Sequence, residues 1–247
     1  MTGIDILYLN IKRIPVVSSS RRTRGECIFC GRKLTSDGLI GHLEACEKRQ
    51  EAIQTANQNN QNGRSQTLYH LQIKNAWASD FWLHLEMNST ATLADLDRYL
   101  RAIWLECCGH LSQFISGRER WGTEISMSRK IEQILEPDME LTHINDFGSS
   151  TETLIKAVDV REGKPLSKHP IYLMARNATP EIACEECDKP ARWLREDYEN
   201  DFGEWLTALF DDHLGKYAGE DFSEPFEMVN SPRLGVCRYM GPAEPPY

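Results

Sequence analysis

The sequence predicts an α+β protein preceded by a small metal-organised module, and three features carry that expectation. Cys27, Cys30, His42 and Cys46 follow a Cys-x2-Cys-x11-His-x3-Cys spacing, the pattern of a zinc finger. Beyond residue 66, short apolar stretches of period-two alternation outnumber stretches of helical spacing. Between the two regions runs Gln-Thr-Ala-Asn-Gln-Asn-Asn-Gln-Asn-Gly-Arg-Ser-Gln, which has almost nothing apolar to bury and reads as a tether.

Taken in order, residues 4–17 alternate loosely and predict a short strand, and 18–24 a polar, basic connector. Cys27-Ile28-Phe29-Cys30-Gly31 predicts a tight knuckle. Ser36 and Asp37 offer capping oxygens for a helix from about 38 through 53. That helix carries His42 and Cys46, four apart and so on one face. Residues 68–74 and 81–87 alternate through Leu71/Ile73 and Phe81/Leu83/Leu85, which suits a hairpin. Leu93, Leu96, Leu100, Ile103, Trp104 and Cys107 recur at three- and four-residue intervals after Thr92, describing a capped helix with one buried face. On this reading Cys107 is core packing and His110 a satisfied polar residue. Further strands are expected at 110–115, 140–147, 153–160 and 170–176, with a short helix near 129–135. Trp205, Leu206, Leu209, Phe210 and Leu214 predict a helix over 202–217. The resulting organisation is an N-terminal segment 1–53 with the finger at 25–50, a linker 54–66, an α+β domain 67–180, and a C-terminal extension 181–247.

The chain of 247 residues has 40% hydrophobic and 26% charged residues, ordinary globular usage that excludes wholesale disorder and fibrous architectures. No apolar run approaches the roughly 20 residues that cross a bilayer. Residues 1–10 carry Asp5 and no basic leader, so the expected compartment is the cytoplasm, where thiols stay reduced and paired cysteines favour metal over disulfides. The net charge of −9 is uneven: through Gln66 ten Lys/Arg stand against six Asp/Glu, and 18 against 31 thereafter. An acidic body repels phosphate backbones, so nucleic acid, if bound, belongs to the basic N-terminal region with Arg21, Arg22, Arg24, Arg32, Lys33, Lys48 and Arg49.

Three thiolates and an imidazole suit zinc, and a filled shell leaves no open position to activate water, so the first site is expected to be structural. With few apolar residues of its own, the module would draw its folding energy largely from the metal. A second pair, Cys184 and Cys187, has His213 and Cys237 far downstream, and spacing alone does not close a shell there. Asp146-Phe147-Gly148 resembles the magnesium-binding turn of protein kinases, yet no phosphate loop, strand lysine or catalytic-loop signature accompanies it. No nucleophile elbow or catalytic carboxylate pair emerges either.

At Tyr69-His70-Leu71-Gln72-Ile73, at Thr92-Leu93-Ala94-Asp95-Leu96-Asp97 to Trp104, and at Asn145-Asp146-Phe147-Gly148-Ser149 to Thr153, the order of elements resembles the plasmid pRiA4b open-reading-frame-three-like family. The resemblance covers about residues 67–176 and extends to Asn230-Ser231-Pro232-Arg233-Leu234-Gly235-Val236-Cys237. It implies an α+β domain on a mostly antiparallel sheet, an Asp146-Phe147-Gly148 turn that closes a strand, and an association with plasmids and insertion elements. It also implies a cross-braced double zinc module in the C-terminal part. Cys184, Cys187 and His213 match that pattern, but Arg195, Tyr198, Thr207 and Phe210 stand where further cysteines would fall. Apolar packing around Trp205, Leu209 and Phe210 is therefore expected to replace the second metal.

The function expected from these features is a non-enzymatic zinc-binding protein whose finger and acidic body bind a protein partner. Two other classes stand beside it: a nucleic-acid-binding regulator acting through the basic finger, and a mobile-element recombinase or nuclease with an acidic site assembled only in three dimensions.

Overall fold

A computed structural model describes residues 23–58, 63–118, 122–136, 139–199, 203–217 and 224–247. The expected strand at 4–17, and Arg21 and Arg22, lie outside the described residues. The fold is α+β, built on a nine-stranded sheet of order β2 (Lys33–Thr35), β1 (Arg24–Cys27), β9 (Ile171–Asn177), β4 (Trp82–Asn88), β3 (Gln66–Asn75), β8 (Thr151–Gly163), β7 (Glu140–Asn145), β5 (Ser112–Ser116) and β6 (Glu124–Ile125), in which every neighbouring pair is antiparallel.

The centre of this sheet is the expected hairpin, β3 (Gln66–Asn75) and β4 (Trp82–Asn88), paired from Leu68↔Asn88 to Lys74↔Trp82. Asn75 closes it, its Oδ1 accepting from the amides of Trp77 and Ala78. β8 (Thr151–Gly163) and β9 (Ile171–Asn177) flank the hairpin on either side. β7 (Glu140–Asn145), β5 (Ser112–Ser116) and β6 (Glu124–Ile125) complete that edge. Alternation sends Leu71, Ile73, Leu83, Leu85 and Met87 to one face. There they pack with α3 (Leu93–Leu100) and the π-helical turn Arg101–Leu105 that continues it. Thr92 caps α3 in a capping box with Asp95, and Leu93, Leu96, Leu100, Ile103 and Trp104 are fully buried, as their spacing predicts. Cys107 departs from that spacing. The helical run ends at Glu106, so Cys107 lies in the loop beyond it, only partly buried.

The opposite face of the hairpin carries Trp82 together with the polar residues His70, Gln72, His84 and Glu86, all buried. They are covered by the N-terminal module, which is therefore part of this fold and not a separate head on a tether. β1 (Arg24–Cys27) pairs with β9 and with β2 (Lys33–Thr35), extending the sheet. Leu39 and Leu43 of α1 (Ser36–Ala45), with Cys27 and Cys46, pack against Trp82, Met174 and Ala175. Residues 54–58, read as tether, are the last turn of α2 (Glu47–Gln58), and Asn57 accepts a hydrogen bond from the Lys164 amide.

Three helix expectations need correction. The helix over 38–53 is two helices that break at Cys46, which is extended at φ −70°, ψ 110°. No sequence breaker sits there; instead the side chains of Arg49 and Gln50 satisfy the carbonyls of Leu43 and Glu44 that the break leaves open. The stretch 202–217 is not one helix: β11 (Gly203–Leu209) is followed by a 3-10 helix, Asp211–Tyr217. β11 pairs with β10 (Trp193–Glu199), and β12 (Phe226–Glu227) joins the other edge of β10 to give a separate three-stranded sheet. Leu206 and Ala208 alternate into its core beside Leu194 and Phe226. The period-two signal of Leu206 and Ala208 was masked by the apolar neighbours Leu209 and Phe210, which create a coincidental helical spacing. The expected helix at 129–135 is a short 3-10 turn, Ile131–Gln133.

Candidate metal centres

Among the described residues three groups of cysteine and histidine converge, each with its ligand atoms within 4.8 Å of one another. The first is the set read from spacing: Cys27, Cys30, His42 and Cys46. Cys27 ends β1, and the chain turns sharply there, with the Gly31 amide donating to the Cys27 carbonyl at 2.8 Å and the Cys27 amide to Arg32 at 3.0 Å. The turn needs the left-handed backbone that Gly31 supplies at φ 74°. Thr35 then caps α1, accepting from the Gly38 amide, and α1 presents His42 one turn before Cys46. The His42 Nε2 lies 3.3 Å from Cys30 Sγ, close to the S···N edge of about 3.6 Å in a tetrahedron of zinc-length bonds. Burial, followed by the nearby Arg32, lowers the His42 pKa, a shift toward the neutral imidazole that a ligand must be. Burial pushes the Cys27 thiol up to about 11, whereas the Arg32 amide lowers that of Cys30. These residues fit a metal ion with a closed four-ligand shell.

The expected basic rim is divided by the fold. Arg24, Arg32 and Lys33 are exposed beside this site. Arg49 is turned inward, 3% exposed, with Nη1 donating to the Leu43 carbonyl and Nη2 lying 3.4 Å from Glu86. Arg161 also engages Glu86, at 2.6 Å, so the sequence count of surface cations included a buried structural arginine.

A second group was missed. Cys107 and Cys108 after the π-helical turn, His110 before β5, and Cys237 near the C-terminus come together. Cys108 Sγ is 3.6 Å from Cys107 Sγ and 3.0 Å from His110 Nε2, which is itself 3.4 Å from Cys237 Sγ. Cys107, only partly buried, is not core packing, whereas His110 keeps the contacts of a satisfied polar residue, its Nε2 lying near Cys108, Cys237 and Asp146. The one local signal was three possible ligands within four positions; the partner 127 residues away had none.

In the third group Cys184 and Cys187 meet His213, whose Nδ1 is 3.2 Å from Cys184 Sγ and 3.8 Å from Cys187 Sγ. Burial raises the Cys184 pKa, but the hydrogen bond from His213 and backbone amides outweigh it and bring the thiol down to about 7. Cys237, grouped with these residues on sequence, belongs to the second cluster instead. The third group is thus a three-ligand set among the described residues.

The acidic and histidine groups of the body are engaged structurally. Asp146, at φ 66° just after β7, accepts from the Gly148 amide and pairs with Arg233 at 2.6 Å. Its turn therefore closes a strand, with the Arg233 guanidinium as its ion-pair partner and the His110 ring 3.4 Å away. Asp97, His143 and Ser112 also converge, but both the Ser112 hydroxyl and His143 Nε2 contact Asp97 Oδ1, at 2.6 and 2.8 Å. The hydroxyl is directed at the carboxylate and not at the imidazole, unlike the serine of a catalytic triad, and His143 is fully buried. Burial works against the Asp97 charge, yet the bonds from His143, Ser112 and Arg101 hold its pKa at about 2. This is a strut between α3 and the sheet.

No protein-family model matches the chain, and no curated protein matches it. Among solved structures, MM3350 from Methanosarcina mazei Go1, a protein of unknown function, is similar at 16% identity over 44% of this chain and 67% of that chain, with a TM-score of 0.37. A similarity at that level carries no argument. What the fold and site define is an antiparallel α+β protein with cysteine and histidine groups positioned to hold metal ions. No helix among the described residues is long and apolar enough to cross a membrane.

Proposed function

We propose that the protein is a non-enzymatic, cytoplasmic zinc-binding protein that recognises a protein partner, with zinc at Cys27, Cys30, His42 and Cys46 fixing the surface it presents. The observation that carries this reading is the convergence of four donors at the first site together with its docking: α1 and α2 cover the polar face of the hairpin, and β1 continues the sheet through β9. A metal placed there organises a surface and has no vacant position for chemistry. The engaged state of Asp97, His143 and Asp146 supports the non-enzymatic reading. The association with a plasmid or mobile element rests on the motif resemblance alone and is part of the same proposal.

Because Leu39 and Leu43 pack on Trp82 and Met174, the module is tested within the intact protein. The full chain is purified with metal, and its zinc environment is measured by X-ray absorption. The expected first shell at this site is sulfur and nitrogen only, and it is lost in Cys27→Ser/Cys30→Ser; an oxygen ligand that remains tied to this site overturns the structural role. Exposed Arg24, Arg32 and Lys33 favour the nucleic-acid alternative. Fluorescence anisotropy with duplex DNA and with RNA tests it: an affinity that falls steeply with salt and disappears when all three become Ala replaces the protein-partner reading.

A further inference from the structure

The last segment of the chain is laid across the end of the π-helical turn and against β9. Ser231 Oγ donates to the Trp104 carbonyl at 2.5 Å. Arg176 donates to the carbonyls of Asn230 and Ala243, and the Tyr247 ring stacks on His169 with centroids 4.0 Å apart. In the middle of this strap Cys237 takes a left-handed conformation at φ 52°, ψ 34°, one that side-chain-bearing residues adopt at a cost. That conformation places its sulfur at the group formed by Cys107, Cys108 and His110.

We propose that Cys107, Cys108, His110 and Cys237 bind a second metal ion, a soft divalent cation of the zinc class, which fastens the C-terminal strap to the loop that follows the π-helical turn. Three sulfurs and one imidazole nitrogen are the donor set such a cation prefers. Their separations of 3.6 Å between Cys107 and Cys108 sulfurs, and 3.0 and 3.4 Å from His110 Nε2 to Cys108 and Cys237, compare with tetrahedral edges of about 3.8 Å for S···S and about 3.6 Å for S···N. Each turn in this loop has a local support: Gly109 stands at φ 76° and its amide donates to Glu106 Oε1 at 2.7 Å.

The surroundings are those of an anionic thiolate centre. Arg233, fully buried, points Nε at Cys107 Sγ at 3.2 Å and Nη2 at Cys237 Sγ at 3.7 Å. The same guanidinium is fixed by Asp146 at 2.6 Å, the Ser149 carbonyl at 3.0 Å and Thr151 Oγ1 at 3.1 Å. Three thiolates on one divalent cation leave a net negative charge, and a buried guanidinium donating to two of the sulfurs offsets it. Arg233 is a positioning residue, tying the strap to the turn after β7 as well as to the sulfurs. A disulfide does not explain the group, because a 3.6 Å sulfur separation is far from the roughly 2 Å of a bond and all four atoms converge on one point.

The site is independent of the first one, and the experiment keeps them apart. Zinc per chain is measured for the full-length protein and for Cys108→Ser/Cys237→Ser; both cysteines are exposed, so the serines remove ligands with little loss of packing. The expected result is the loss of one metal equivalent in this variant, with the equivalent lost in Cys27→Ser/Cys30→Ser still present. Unchanged metal content overturns the proposal. A second measurement needs no variant: alkylation of the native protein, mapped by peptide mass, is compared with and without chelator. Metal is expected to slow labelling of Cys107, Cys108 and Cys237 by about tenfold or more, since a coordinated thiolate is a poor nucleophile. Equal labelling, or a Cys107–Cys108 disulfide in the protein purified without reductant, sinks the assignment.

Discussion

The buried histidine pair beneath the N-terminal module makes stability depend on pH in a direction that can be worked out. His84 Nε2 donates to the Ser36 carbonyl at 2.9 Å, which leaves Nδ1 to accept from His70 Nε2 at 2.7 Å. Both imidazoles are neutral in this arrangement. Burial, only partly opposed by the Ser36 hydrogen bond, lowers the His84 pKa to about 4, and burial followed by the charges of His84 and Arg49 places His70 well below its ordinary value. An imidazole that binds its proton less tightly when folded gives the unfolded chain the extra proton between pH 6.5 and 4. Stability is therefore complete above the unfolded value and is lost as pH falls. For His84 alone the full window is worth on the order of 3 kcal/mol, and the step from pH 7.5 to 6.0 about 0.8 kcal/mol, with His70 adding in the same direction. That upper step avoids the acid release of metal from thiolates. The assay is urea unfolding at the two pH values for the full chain and for His84→Gln, expected to lose about 0.8 kcal/mol of the pH difference. Imidazole proton shifts provide the direct check: His84 should remain untitrated from pH 8 to 5. A midpoint near 6.5, or identical pH slopes in the two proteins, refutes the buried neutral pair.

Other consequences follow from the docking of the module. A methyl group at Gly25 would lie 1.9 Å from the Arg176 carbonyl oxygen, in backbone that has no side chain to move aside; Gly25→Ala should break the pairing of β1 with β9 at a cost of about 2 kcal/mol or more, seen as lost hydrogen-exchange protection in 24–27. Retained protection contradicts the pairing. Glu86→Ala strands Arg49 and Arg161 in the interior, and a loss of about 3–5 kcal/mol in urea unfolding is expected, whereas a loss under 1 kcal/mol means that water reaches the pair. Chelation of the first site should unravel α1 and α2 before the large sheet, with far-UV circular dichroism losing helix at chelator concentrations that leave the near-UV signal of Trp104 intact.

Some of this protein was written locally. The first metal group lies within twenty residues, so its knuckle and helix place the donors almost without help from the rest of the chain. The β3–β4 hairpin and the α3 face were equally legible, because alternation and three-to-four spacing are properties of neighbouring residues, and Thr92 announces its helix by a side chain that reaches only three residues ahead. The break at Cys46 had no such mark, since the groups that permit it, the side chains of Arg49 and Gln50, act on carbonyls six residues back. Nothing in the local sequence marks His70, Gln72, His84 and Glu86 as buried; that follows from the pairing of β1 with β9, which brings Ser36 and Arg49 over them. Cys237 reached Cys107 and Cys108 only because the strap crosses the end of the π-helical turn. Donor chemistry is carried by residue type, but which donors meet across more than a hundred residues is decided by sheet order and packing, and neither is a property of any local stretch of sequence.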